Sequence, residues 1–133
     1  MSLFRFVQWI SEGRNVTIYG DGKQKRDFTF VDDIARGTLA ALKPTGYEVI
    51  NLGSDKPIVL IDALRLAEDL LEKKAKLEFM PRHPSDVPST WADIHKAEKL
   101  LSWRPETSFE KGLQQLVAWY RQNRTWAKEV ETL

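Results

Sequence analysis

Residues 16–36, VTIYGDGKQKRDFTFVDDIAR, constrain the fold more than any other stretch, because the residue pattern changes three times within it. Val16, Thr17, Ile18 and Tyr19 are β-branched or aromatic, as a half-buried strand requires. Gly20-Asp21-Gly22 turns the chain, and residues 27–31 alternate as a second strand. Asp32 stands where a helix cap belongs. That helix is expected to run to about Leu42, burying Ile34, Thr38, Leu39 and Leu42, and to end at Pro44 and Gly46. A glycine turn followed by Lys23, Lys25 and Arg26, set between two half-apolar strands, is a place for an anion to sit.

The flanking sequence supplies the rest of an α/β pattern. Leu3, Phe6, Val7 and Ile10 have helical spacing over residues 2–12, with Ser2 as N-cap and Gly13 as stop. Residues 47–52 (YEVINL) read as a strand. Residues 60–74 read as a long helix with Leu60, Leu64, Ala67 and Leu71 on one stripe, and residues 77–80 as a short strand. Residues 81–88 (PRHPSDVP) hold three prolines and are expected to be extended and stiff. Asp93 caps a helix over 94–101. Thr107 and Glu110 have capping-box spacing ahead of a last helix with Leu113, Leu116, Val117 and Tyr120 on its buried stripe, and the tail is expected to fray after Arg124.

Composition excludes several classes of function. A net charge of +1 is too small for a nucleic-acid coat, so no nucleic-acid partner is expected; a binder built on Lys23, Lys25, Arg26, Phe28 and Phe30 is the reading this argues against. The chain has no cysteine, which removes disulfide and thiolate chemistry and fits a cytoplasmic setting. No apolar run approaches the ~18 residues of a membrane span. Five tryptophans point to a packed core rather than a disordered segment. The chain starts inside an amphipathic pattern, which suggests a piece of something longer.

Two motifs do not carry chemistry. Tyr19 and Lys23 match the Y-x-x-x-K pair of dehydrogenases, but that pair needs a helical turn and two glycines lie between them. Gly20-x-Gly22 lacks a third glycine and a following helix, so it makes no dinucleotide pyrophosphate site. His83 and His95 do not form a metal pattern. Arg26 differs from its lysine neighbours because it enters a strand, where its fork is held for bidentate phosphate binding.

Residues 20–37, GDGKQKRDFTFVDDIARG, resemble the extended short-chain dehydrogenase/reductase family, specifically nucleotide-sugar epimerases acting on UDP-glucuronate or UDP-glucose. Asn51-Leu52-Gly53, residues 82–86 (RHPSD), Trp91-Ala92-Asp93-Ile94, residues 101–105 (LSWRP) and Gly112 with Trp119-Tyr120 follow in family order. The resemblance implies that residues 1–133 form one C-terminal, substrate-binding region of a longer parent. The parent would bind NAD and a UDP-sugar, with the Rossmann half and catalytic Tyr/Lys pair lying upstream. This fragment would carry no catalytic residue, hold no cofactor and be inert alone. A free-standing nucleotide-sugar binding or regulatory module, or a part of a sugar dehydratase or decarboxylase, are the alternatives.

Position by position, the resemblance implies that the Thr17-Ile18-Tyr19 backbone meets the uracil, Arg26 grips the diphosphate and Asp86 holds the ribose hydroxyls. The family often has a second phosphate arginine where this chain has His83, with Arg82 beside it. A homo-oligomer is expected through apolar surface on helix 2–12 and the Phe28/Phe30 strand.

Overall fold

The computed structural model describes residues 2–43 and 46–132. The order is α1 (Ser2–Glu12), β1 (Asn15–Tyr19), β2 (Lys25–Arg26), α2 (Val31–Ala40), β3 (Ile58–Val59), α3 (Leu60–Leu71), β4 (Lys76–Met80), α4 (His95–Leu101) and α5 (Phe109–Ala127). It is an α/β fold of five helices and short strands. β1 and β4 pair in parallel, with Thr17 opposite Glu78 and Tyr19 opposite Met80, so α3 lies in the crossover between them. β2 and β3 pair antiparallel through Lys25 and Val59.

The main core fills the space between α1, β1, α3 and α5. Phe6, Val7 and Ile10 of α1 meet Leu64, Ala67 and Leu71 of α3, and Leu113, Val117 and Tyr120 of α5, over Val16 and Ile18 of β1. Phe6, Val7 and Ile10 of α1 are therefore buried within the chain, while Leu3, Phe4 and Trp9 remain partly exposed. Exposed apolar side chains lie elsewhere, at Leu39, Leu42, Tyr47 and Val49. A smaller cluster of Ile94, Ala97, Leu101 and Trp103 packs beneath α2 and α4.

Several boundaries differ from the sequence pattern for identifiable reasons. The second strand is confined to Lys25–Arg26, because Phe28 turns onto Phe109 of α5 (ring centroids 5.5 Å apart) and Phe30 becomes the extended residue that opens α2. Asp32 is thus in the first turn, not the cap. α2 buries Asp33 and Gly37 rather than Leu39 and Leu42. A Cβ on Gly37 would lie 2.9 Å from the Trp103 indole nitrogen and 2.8 Å from Leu52, so only glycine admits the indole here. Residues 47–52 form no strand, and no described residue pairs with them.

α3 ends at Leu71, with Glu72 in the left-handed conformation. The cap of α5 is Ser108, which accepts the Lys111 N–H at 3.2 Å; the Thr107 N–H goes to Asp33 instead. The tail does not fray at Arg124. Helix α5 continues to Ala127, and the buried amide of Gln8 donates to the carbonyls of Ala127, Lys128 and Val130 at 2.9–3.3 Å. The Ser2 side chain and Pro44 lie outside the described residues.

Candidate functional site

α1 and β1 on one side and the proline-rich segment 81–88 on the other wall a cleft of about 520 Å³, completed by Gln24 and Arg26 just after the glycine turn. Gly22 makes the turn possible. Its φ of +76° suits glycine, and its missing side chain leaves room for Ile61, which a Cβ would approach to 3.2 Å. Backbone bonds then fasten the far wall to β2: Lys25 N–H donates to the Pro88 carbonyl at 2.9 Å, and Thr90 N–H to the Lys25 carbonyl at 3.1 Å.

Arg26 and Asp86 meet across this join. Arg26 Nη2 donates to Asp86 Oδ1, and both side chains are about a quarter exposed. Arg26 Nη1 donates to the carbonyls of Lys25 at 2.7 Å and Val87 at 3.0 Å. The guanidinium is therefore fixed in orientation, and most of its five N–H groups are already engaged. Asp86 is held by its own N–H donating to the His83 carbonyl at 3.0 Å. Its carbonyl accepts from Arg82 Nη2 at 2.8 Å.

Thr17, Tyr19, Arg26, His83 and Asp86 all line the cleft. Ile18 does not, since its side chain lies in the main core, and Arg82 is also absent from the lining. β1 pairs with β4 on one edge only, so the backbone on its other edge is free of strand partners among the described residues. His83 Nδ1 accepts from the Ser85 N–H at 3.2 Å, which puts the proton of the neutral ring on Nε2. The sequence pattern missed Arg5, Trp9 and Gln24 as lining residues. An arginine inside an otherwise apolar helical turn was the available signal for Arg5.

Two aspartates of the central stretch act as staples. Asp27 accepts the N–H and hydroxyl of Ser54 on one oxygen and the Ala92 N–H at 3.0 Å on the other, tying the Asn51–Ser54 and Trp91–Ala92 segments together. Asp33 accepts from Arg36 at 2.6 Å and from the N–H groups of Glu106 and Thr107 at 3.1 and 2.9 Å. Burial alone pushes the Asp33 carboxyl up, but these donors together outweigh burial and hold it below the usual aspartate value. His95 sits beside Asp93 at 2.7 Å, and that hydrogen bond raises its basicity, but both are exposed and neither lines the cleft. No group of side chains suited to a metal occurs among the described residues.

A family profile described as GDP-mannose 4,6 dehydratase matches residues 1–116. The chain belongs to this family of NAD-dependent nucleotide-sugar epimerases and dehydratases. It is 52% identical over 132 residues to a UDP-glucuronate 4-epimerase of Thermodesulfobacterium geofontis, covering 98% of this chain and 41% of that protein. A UDP-glucuronic acid 4-epimerase of Bacillus cereus, solved with UDP-glucuronic acid and NAD, matches with a TM-score of 0.86 at 36% identity, over 92% of this chain and 40% of that one. An epimerase from Methanothermobacter thermautotrophicus matches with a TM-score of 0.91 at 31% identity, over 97% of this chain and 39% of that one. The chain thus spans about two fifths of the length of these relatives.

The Gly20–Gly22 turn makes no dinucleotide pyrophosphate site. Gly22 is packed beneath Ile61, and the turn leads into a two-residue strand rather than a helix N-terminus that would receive a pyrophosphate.

Proposed function

We propose that this chain is the substrate-binding part of an NAD-dependent UDP-sugar 4-epimerase, that its cleft holds the uridine diphosphate, and that the chain is catalytically inert by itself. The observation that carries the reading is the Arg26–Asp86 contact, made by residues 60 positions apart at the mouth between β2 and the proline-rich segment. A nucleoside diphosphate needs a cation fixed in direction for its phosphates, a carboxylate for its ribose diol, and backbone groups for its base. Arg26, the second oxygen of Asp86, and the open edge of β1 beside Tyr19 offer these in one cleft. The relative at 52% identity makes UDP-glucuronate the first sugar nucleotide to test.

An NMR titration of the chain with UDP reads affinities down to the millimolar range. UDP is expected to shift the amides of Thr17, Tyr19, Arg26, His83 and Asp86, and Arg26→Ala to abolish those shifts. Equal affinity in Arg26→Ala overturns the phosphate role, and turnover of UDP-glucuronate by this chain with added NAD overturns its inertness.

A further inference from the structure

Arg5 is out of place as a structural residue. It lies in the first turn of α1, where the helix dipole disfavours a cation, and that turn contains no acidic residue to offset it. Its guanidinium carbon stands 5.9 Å from the Trp9 ring centre, so the side chain is steered along the helix face. It makes no ion pair and no hydrogen bond among the described residues. Its Nε is buried without any acceptor. A buried donor on a charged group, left unpaired, costs free energy that the fold does not recover internally.

Arg5 also lines the same cleft as Arg26, His83 and Asp86. The two arginines differ in what they have left to give. Arg26 spends Nη1 on two backbone carbonyls and part of Nη2 on Asp86, whereas Arg5 spends nothing on any described residue. Asp86 neutralises one of the two guanidinium charges, so the cleft keeps an excess positive charge on the α1 wall. His83, which stands where the family resemblance implies a second arginine, has Nδ1 taken by the Ser85 N–H and offers no fork.

We infer that Arg5 is the second cation of the cleft and grips the diphosphate from the α1 wall, opposite Arg26. The inference rests on the nucleotide reading above and assigns to α1 the role that His83 and Arg82 leave unfilled. Trp9 orients the guanidinium, and bound phosphate oxygens accept from its two Nη groups.

The test is an NMR titration of the chain and its Arg5→Gln and Arg5→Lys variants with UDP, UDP-glucuronate and uridine. Arg5→Gln keeps the stem that lies along Trp9, so α1 amide shifts in the unliganded spectrum should be retained. UDP affinity is expected to fall about tenfold or more in Arg5→Gln, as loss of a charge-assisted hydrogen bond implies. Arg5→Lys is expected to recover part of it, with uridine unaffected in both. If UDP binds, Arg26→Ala abolishes binding and Arg5→Gln leaves it unchanged, the inference falls while the nucleotide reading stands. A loss confined to UDP-glucuronate overturns it too, because the cation would then read the sugar carboxylate. Failure of the unsubstituted chain to bind UDP takes down both.

Discussion

The two apolar clusters of this molecule are closed in different ways. Around α1, β1, α3 and α5, stripes of Leu, Ile, Val and Phe meet one another, and residues such as Ile10, Val16, Leu64 and Tyr120 lose nearly all contact with solvent. Around α2 and α4, burial stops at Trp103, Ile94, Ala97 and Leu101, while Leu39, Leu42, Tyr47 and Val49 remain exposed a few residues away. Here the fold relies on directed polar contacts. The Trp103 indole N–H donates to the Asp33 carbonyl at 2.9 Å, and the Asp33 carboxylate gathers the 106–107 backbone. The first region is held chiefly by area, the second by one indole and the carboxylates of Asp27 and Asp33. The cleft takes Phe6 and Leu60 of its lining from the first region, so it stands on the better-packed half.

Trp103→Ala should break this contrast most forcefully. Removing a buried indole costs about 3–5 kcal/mol, and the carbonyl of Asp33 loses its donor as well. Amide exchange is expected to rise throughout α2 and α4 while α1, α3 and α5 keep their protection. If every helix loses protection together, the two clusters are one cooperative unit and the contrast is wrong.

Glu12 sharpens the comparison from the other side. Its carboxylate accepts from Arg124 at 2.8 and 3.0 Å and from the Tyr120 hydroxyl at 3.0 Å. The Arg124 hydrogen bond leads in bringing its pKa down to about 2, from 4.5. Tyr120 is correspondingly pushed up to about 12, by burial first and then by the Glu12 contact. Because the folded value is the lower one, the stabilisation is present above about pH 4.5 and is lost as pH falls toward 2. Arg124 is about half exposed, so screening reduces the effect of Glu12→Gln at neutral pH to about 1–2 kcal/mol. Denaturant midpoints of the two proteins should converge as pH falls through that window. A gap that stays constant with pH would mean the loss is one of packing, not charge.

Tyr47→Ser carries the smallest effect. With its side chain 94% exposed, the change should alter stability by less than about 0.5 kcal/mol in urea melts. A loss well beyond 1 kcal/mol would show that this residue is covered in solution, and the second region would then be closed by area after all.

The contrast also explains what could be read in advance. The stripes of α1, α3 and α5 were legible because hydrophobic periodicity measures burial between helices, which is how that region is built. The α2 face was not legible, since it turns inward on Asp33 and Gly37, two residues that a hydrophobic count scores as outward-facing. Residues 47–52 carry a strand pattern, yet pattern alone does not supply a neighbouring strand. The resemblance set Arg26 and Asp86 on one ligand but did not foresee their direct ion pair, and no local rule links positions 60 residues apart. Arg5 was not among the residues the sequence marked for the site. Its importance depends on an absent acceptor, and an absent acceptor leaves no trace in the residue string.

The Gln8 amide has a consequence for how the helices come together. Its hydrogen bonds reach the carbonyls of Ala127, Lys128 and Val130, and its oxygen accepts the Thr132 hydroxyl at 3.1 Å. A helix and a segment some 120 residues further along the chain are thus satisfied only together. Until the segment after α5 is in place, α1 carries a solvated amide on the face destined for the interior, so the two dock as one event.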